Sequence, residues 1–180
     1  MISLRVCDGV SHLFSPRLEE LEGVSHGFST RLGGVSEGPY ASLNLSFRVG
    51  DDHKRVVENR KRFFALFSVD PEQVVTVRQV HGVSAVAIET PNVKACSWDQ
   101  LEADALMTNL PGVAIAVLTA DCMPVVVFDP PHRAVAVAHA GRLGMAQSVI
   151  SRTIEAMAAR YGSSPADLIA AFGPHVRQCC

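Results

Sequence analysis

The sequence predicts an α/β fold of the mixed α+β kind, in which a β-sheet core is flanked by helices. Short runs rich in Val, Ile and Ala recur along the chain, and most of them are bounded by Gly, Pro or Asp. Two other segments carry apolar residues at helical spacing. The 180 residues, of which 48% are hydrophobic and 19% charged, suffice for a sizeable core. We therefore expect residues 1–180 to form a single domain.

A strand, a loop and a helix are predicted in the first part of the chain. The strand runs from Val24 to Thr30, and the loop from Arg31 to Tyr40 is rich in turn residues, including a pair of glycines. Asp51 or Asp52 is expected to cap a helix that continues to about Phe67, since apolar side chains recur there at helical spacing.

The rest of the chain is predicted to be mainly strands. Five short apolar runs come first: Val74 to Val77, Val83 to Ile88, Val113 to Thr119, Pro124 to Phe128 and Ala134 to Ala138. The run over 113–118 is apolar throughout, which is typical of a strand buried on both faces. A second helix is expected from Met145 to Arg160, with Gly162 as its stop, and a last strand from Leu168 to Phe172.

Composition and charge exclude several classes of function. The formal net charge is −2, and nothing in it indicates a nucleic-acid surface or a polybasic membrane anchor. No run approaches the roughly 20 apolar residues that span a bilayer, and the amino terminus lacks the pattern of a signal peptide. The five cysteines are an odd number without the pattern of a disulfide framework. We expect a cytoplasmic protein with no nucleic-acid or membrane partner.

Three short motifs, each at the end of a predicted strand, contain His81, Cys122 and His139. Such positions project side chains into a cleft from a rigid scaffold. Two imidazoles and a thiolate suit zinc, and three protein ligands leave a fourth position open, as in catalytic zinc sites. Because no CxxC or HxxxH pair is present, the spacing alone leaves core roles open for all three residues.

Two acids and one arginine are further candidates. Asp104 and Asp121 lie among apolar residues, so each needs a hydrogen bond or a charged partner. Either carboxylate can fix the tautomer of a ligating imidazole or cap a turn at the end of a strand. Arg31 precedes Gly33 and Gly34, and a guanidinium beside exposed backbone N–H groups can bind a phosphate. The alternative for Arg31 is an ordinary surface arginine.

Taken together, these motifs resemble one family, the YfiH-like or laccase-domain family, also called multicopper polyphenol oxidases and described as purine nucleoside phosphorylases. The matching segments follow family order from about residue 24 to the end of the chain: Phe28 to Ser36, Ser42 to Leu45, Val49 to Asp51, Asn59-Arg60, Gln79 to Gly82, Ala103 to Ala105, Thr119 to Pro124, His139 to Gly141 and Gly173-Pro174. The resemblance implies an α/β fold and a catalytic zinc held by His81, Cys122 and His139.

The same resemblance implies activity on purine nucleosides. The expected reactions are phosphorolysis of adenosine, inosine, guanosine and S-methyl-5'-thioadenosine, with some deamination of adenosine. In this hypothesis the residues that bind substrate and phosphate are Arg31, Gly33, Gly34 and Asn44. Asp104 or Asp121 then acts as an acid, a base or an orienting group.

The chain departs from the family pattern in two places. His139-Ala140-Gly141 is followed by Arg142-Leu143-Gly144, where the family usually has Trp-Arg-Gly. Family members also continue for tens of residues after the Gly-Pro pair, so we expect a copy that is truncated at its carboxyl terminus.

Three other functions stay open at this point. One is a cysteine hydrolase, with Cys122 as nucleophile and His139 as base. Another is a copper polyphenol oxidase, which replaces zinc by copper. The third is a truncated binding protein without catalytic activity.

Overall fold

The computed structural model describes residues 2–91 and 100–177. Within these ranges the chain forms ten strands in three sheets, together with four α-helices. The strands are β1 Ser3–Cys7, β2 Val10–Phe14, β3 Phe28–Ser29, β4 Val74–Val75, β5 Ala85–Ala87, β6 Ala105–Thr108, β7 Ala114–Ile115, β8 Met123–Asp129, β9 Ala134–Ala140 and β10 Ile169–Phe172. The helices are α1 Pro16–Glu19, α2 His53–Ala65, α3 Arg142–Ala146 and α4 Val149–Tyr161. This arrangement confirms the predicted mixed α/β fold class.

The largest sheet has five strands in the order β10-β8-β9-β6-β5. Strands β8 and β9 form a long antiparallel hairpin, and β6 pairs with the other edge of β9. Successive residues of β8 point to opposite faces: Val125 and Val127 pack on the side of α4, while Val126 and Phe128 pack on the side of α1 and β3. Buried alanines along β9 leave room for α4 to lie close to the sheet.

Strands β1 and β2 form a hairpin that the sequence analysis did not predict. Asp8 and Gly9 join them with φ values of 49° and 77°, a pair of left-handed residues typical of the tight turn that suits a hairpin. The short strand β3 completes this sheet by pairing with β2. Asp-Gly is a recognisable turn signal, so the hairpin was within reach of sequence reasoning.

Several predicted strands are shorter in the structure, because a partner strand is available over only part of each run. The strand predicted over 24–30 contains only Phe28–Ser29, and the one predicted over 83–88 contains only Ala85–Ala87. The run over 113–118 is half-buried rather than buried on both faces. Its strand β7 pairs with β4 alone, in a separate two-stranded sheet. Strand β6 was not predicted, although all four of its residues are buried.

The helices also differ from their predicted limits. Helix α2 begins after Asp52, whose side chain accepts the Arg55 backbone N–H, as the sequence predicts. It ends at Ala65, two residues before the predicted limit. The second predicted helix is divided into α3 and α4 at Ser148, whose φ of 66° is left-handed and interrupts the helical ladder. Gly162, with φ 77°, ends α4 as predicted.

The structure bears in part on the predicted absence of membrane-spanning segments and on the state of the cysteines. Among the residues that the structure describes, no helix has the length and apolar character needed to cross a bilayer. Cys7 and Cys122 are free thiols, whereas Cys96, Cys179 and Cys180 lie outside the described ranges. The single-domain interpretation of residues 1–180 stays a prediction.

A polar network holds the loop between β3 and α2 on the helix. The Asn59 side chain, fully buried in α2, donates to Ser36 Oγ at 2.8 Å and to the Asn44 carbonyl at 2.9 Å. Ser36 Oγ and the Asn44 side-chain amide donate in turn to the Asp51 carboxylate, at 2.6 and 2.9 Å. These hydrogen bonds, that of Ser36 foremost, lower the pKa of Asp51 below its usual value.

Asp51 is therefore expected to make stability depend on pH in the acid range. Its pKa is lower in the folded chain, so the stabilisation is complete above the ordinary aspartate pKa of about 3.9 and is lost as the pH falls through the folded value. Urea denaturation between about pH 6 and pH 3 should show a smaller loss of unfolding free energy in Asp51→Asn than in the parent chain. Equal losses in the two proteins would contradict the assignment.

Candidate metal centre

His81 lies in an irregular segment between β4 and β5, and its backbone is held by a buried carboxylate. The backbone N–H groups of Val80, His81 and Gly82 donate to Asp104, at 3.2, 3.0 and 2.6 Å. His81 has φ 59°, a left-handed conformation that is costly for a residue with a side chain. Three hydrogen bonds to one carboxylate maintain that conformation and present the exposed imidazole at the surface.

Cys122 and His139 are brought together by the β8–β9 hairpin. Cys122 immediately precedes β8, and His139 is the last residue but one of β9. The register pairs Met123 with Ala140 and Pro124 with His139. Cys122 and His139 therefore lie at the same end of the hairpin. His139 is buried, whereas Cys122 is half-buried.

The three side chains converge although they are distant in the sequence. One ligand atom from each of His81, Cys122 and His139 lies within 4.8 Å of the other two. The two imidazole rings are 4.7 Å apart between centroids and are steeply inclined, at 72°. Among the residues that the structure describes, this is the one group of three or more His, Cys, Asp and Glu side chains close enough to share an ion.

Asp104 also determines which nitrogen of His139 faces this group. Its fully buried carboxylate lies 2.7 Å from His139 Nδ1. Burial opposes ionisation, but the hydrogen bonds from His139, Gly82 and Val80 outweigh it and lower the pKa of Asp104. An ionised carboxylate only accepts hydrogen bonds, so Nδ1 carries the proton and Nε2 keeps its lone pair for a metal. Asp104 thus hydrogen-bonds both to the backbone of the His81 turn and to the His139 ring, while its role toward a metal ligand stays a prediction.

Gly141 leaves space at the point where the three side chains meet. A Cβ atom at position 141 would lie 2.6 Å from His81 Nδ1 and 3.1 Å from Cys122 Sγ. Both separations are shorter than van der Waals contact, so a side chain at Gly141 would require the His81 ring to shift away from Cys122. The sequence analysis included this glycine in a motif but did not predict its steric role, which depends on a contact with two distant segments.

Replacing Gly141 with alanine is expected to weaken metal binding at least about tenfold, by analogy with losses seen when residues that orient metal ligands are removed. The displaced His81 ring would no longer meet the other two ligands. Gly82→Ala is the matched control, because a Cβ there has its nearest neighbour at 3.5 Å, an ordinary contact. Isothermal titration of metal-free protein with zinc measures the difference. Equal affinities in the two variants would rule out the steric explanation.

The residues predicted to bind substrate or phosphate all lie in the loop between β3 and α2. Arg31 donates from Nε and Nη2 to the Ala41 carbonyl oxygen. Asn44 donates to Asp51 and to the Ser46 carbonyl oxygen. These side chains have partners within their own loop, and binding of substrate or phosphate by them stays a prediction.

The paired glycines of this loop have a visible packing role. A Cβ at Gly33 would lie 2.4 Å from the Gly9 carbonyl oxygen, and one at Gly34 would lie 2.0 Å from that of Ser42. The loop therefore packs with its backbone directly against the β1–β2 turn and against its own return segment. Phosphate binding by this backbone stays a prediction.

Two further residues flank the candidate metal centre. Asp121 is exposed and immediately precedes Cys122; its backbone carbonyl accepts the Val176 N–H at 3.0 Å. Its predicted catalytic role stays a prediction. Arg142, which stands where the family usually has Trp, is exposed and begins α3 directly after Gly141. The residue after the third ligand motif is therefore a cation on the surface rather than an aromatic ring.

Comparison with known proteins establishes the family. Residues 25–180 match the family model described as multi-copper polyphenol oxidoreductase laccase. The chain belongs to this family. Its structure is similar to the crystal structure of the YfiH protein of Bacillus licheniformis, with a TM-score of 0.86 and 32% sequence identity over 98% of this chain and 66% of that chain. YlmD of Geobacillus stearothermophilus is similar to the same extent, with a TM-score of 0.86, 30% identity and the same coverage of both chains.

Relatives with similar sequences are named purine nucleoside phosphorylases, not laccases. The chain is 41% identical over 153 residues to a purine nucleoside phosphorylase of Streptomyces coelicolor, covering 83% of this chain and 60% of the relative. It is 41% identical over 146 residues to a purine nucleoside phosphorylase of Deinococcus radiodurans, covering 81% of this chain and 54% of the relative. The chain thus spans little more than half the length of these relatives. The resemblance to the YfiH-like family is confirmed.

Proposed function

We propose that this chain is a zinc-dependent phosphorylase of purine nucleosides, with adenosine, inosine, guanosine and S-methyl-5'-thioadenosine as candidate substrates. The observation that carries the proposal is the convergence of His81, Cys122 and His139 within 4.8 Å at one end of the β8–β9 hairpin. The names of its relatives supply the substrate class. Deamination of adenosine is proposed as a second reaction of the same site.

The donor set favours zinc among the common metals. Two imidazole nitrogens and one thiolate suit zinc, and three ligands leave one coordination position open. The Asp104–His139 hydrogen bond is of the kind that orients metal-bound imidazoles in other proteins. When bound, zinc would supply a Lewis acid that polarises an oxygen atom of the substrate, of phosphate or of water.

The residues of the chain hold the candidate ligands in place and leave the site open to substrate. In phosphorolysis a phosphate oxygen forms a bond to the anomeric carbon as the bond from that carbon to the purine nitrogen breaks. Asp104 holds the His81 backbone and the His139 ring in one arrangement, so little reorganisation is needed at the site. His81 is exposed, which leaves this side of the metal centre open to a substrate from solvent. Arg31 stays our candidate for the phosphate.

The test supplies metal-analysed protein with inosine or adenosine, with and without phosphate, and separates the products by chromatography. Release of hypoxanthine or adenine that requires phosphate supports phosphorolysis, and formation of inosine from adenosine without phosphate supports deamination. Stoichiometric zinc with neither reaction would instead favour a binding protein without catalytic activity.

A cysteine hydrolase is the second candidate, and one observation favours it. In space, Cys122 lies near His139, and His139 is hydrogen-bonded to Asp104. This is the arrangement of a nucleophile, its base and the acid that orients the base. His81 has no role in that arrangement, although it approaches the same two side chains. Alkylation of Cys122 by iodoacetamide discriminates, since a zinc-bound thiolate is protected until a chelator removes the metal. Rapid alkylation of protein that retains a full complement of zinc would favour the hydrolase.

Copper is the alternative metal, because the family description names a multi-copper oxidoreductase. A multi-copper oxidase needs several metal positions, and the residues that the structure describes contain one such cluster. Copper-loaded protein that consumes oxygen in the presence of a phenol would support this alternative over the phosphorylase.

A further inference from the structure

The three ligands lie on three separate segments, and two of the three pairs are linked by bonds already described. Asp104 links His81 to His139 by accepting from the backbone of the first and from the ring of the second. The β8–β9 ladder links Cys122 to His139. The remaining pair, His81 and Cys122, lies beyond the end of the strand pairing that joins their segments.

That pairing is the short parallel ladder of β4 and β7. It joins Val75 to Ile115, and the next backbone bond runs from the Ala116 N–H to the Val75 carbonyl, at 2.9 Å. His81 and Cys122 follow several residues later on the two segments. The backbone pairing therefore stops short of these two side chains, and the links through Asp104 and through the β8–β9 ladder restrain their separation only indirectly.

The side-chain amide of Gln79 provides a further link between the two segments. Its Nε2 donates to the Leu118 carbonyl oxygen at 2.8 Å, and its Oε1 accepts the Leu118 N–H at 2.8 Å. One amide thus satisfies both backbone groups of a residue on the neighbouring segment, as a paired strand would. Gln79 lies two residues before His81, and Leu118 lies four residues before Cys122.

We propose that Gln79 is a positioning residue, whose amide sets the separation between His81 and Cys122 in the metal centre. This inference rests on the proposed metal function of that site. Only an amide offers one donor and one acceptor in this geometry: an ionised glutamate would place a second acceptor against the Leu118 carbonyl oxygen, and alanine would make neither bond. Loss of a group hydrogen-bonded directly to a metal ligand weakens binding about 10–100-fold, and we expect an effect of the same order for Gln79, which acts through the backbone.

Cobalt(II) is the probe, because it replaces zinc and reports its own ligands. A thiolate-to-cobalt charge-transfer band reports the Cys122 bond, and the visible bands report tetrahedral geometry. Metal-free parent chain, Gln79→Ala and Gln79→Glu are titrated with cobalt. We expect both variants to bind about 10–100-fold more weakly and to show a reduced charge-transfer band at saturation. Arg78→Ala is the matched control, because its exposed side chain pairs with Glu102 at the surface, and it should keep the parental spectrum.

Parental affinity and an unchanged spectrum in both Gln79 variants would overturn the proposal. If Gln79→Ala fails to fold, as judged by circular dichroism, the nearly isosteric Gln79→Glu decides the question. A parent chain that binds cobalt but turns over no nucleoside would refute the proposed activity and leave the test of Gln79 valid. A parent chain that binds no cobalt at this site would overturn both.

Discussion

Replacing Cys122 with alanine is expected to abolish tight metal binding and nucleoside turnover together. The change removes the thiolate from the three-ligand set and leaves two imidazoles, which cannot complete the site. Since loss of an orienting residue alone costs about 10–100-fold in affinity, loss of a ligand should cost more than about 100-fold. Zinc content after gel filtration and the rate of phosphate-dependent release of the purine base measure the two effects.

Cys7→Ala is the matched control for this experiment. Cys7 is also a free thiol of intermediate burial, but it lies at the end of β1 and outside the metal cluster. The control variant should keep parental zinc content and turnover. Full turnover in Cys122→Ala would remove the metal mechanism and the cysteine hydrolase at once.

Asp104→Asn is expected to have the second largest effect, because the residue serves four donors at a fully buried position. An amide in its place brings an NH₂ group against backbone N–H groups or against His139 Nδ1–H, so at least one buried donor loses its partner. We expect a loss of about 2 kcal/mol or more in unfolding free energy and about 10–100-fold in zinc affinity. Urea denaturation and zinc titration measure these quantities separately.

Asp129→Asn is the control that separates the loss of stability from the loss of zinc affinity expected for Asp104→Asn. Asp129 is equally buried, and its carboxylate lies 2.8 Å from His132 Nδ1, but it ends β8 at the opposite end of the strand from Cys122. This control should lose stability and keep parental zinc affinity. If both variants lose stability but neither loses zinc affinity, Asp104 is a structural residue without influence on the metal.

Local features of the sequence were sufficient for some parts of the fold. Asp52 at the start of α2 and Gly162 at the end of α4 act through hydrogen bonds and backbone conformations within their own turns, so their roles can be recognised from nearby residues alone. Strand lengths were less predictable. The apolar run over 113–118 indicates burial, but whether it pairs on one edge or two depends on segments far away in the chain.

The candidate site also has features that could be predicted from single residues and features that depend on contacts between distant segments. The motifs containing His81, Cys122 and His139 identified side chains with the chemistry of metal ligands, because that chemistry belongs to each residue individually. The role of Asp104 stayed open between a turn cap and an orienting carboxylate. Only the tertiary structure shows that its carboxylate contacts both the His81 backbone and the His139 ring.

By itself, then, the sequence determined the fold class, the capped ends of the main helices and the identity of three candidate ligands. Only the tertiary structure decided that these candidate ligands meet, that a side chain at Gly141 would collide with the His81 ring and that the Arg31 guanidinium binds a carbonyl of its own loop. The physical reason is the distance along the chain over which each kind of interaction acts. Caps and periodicity act over a few residues, whereas the β4–β7 pairing and the Asp104–His139 hydrogen bond join residues that lie tens of positions apart.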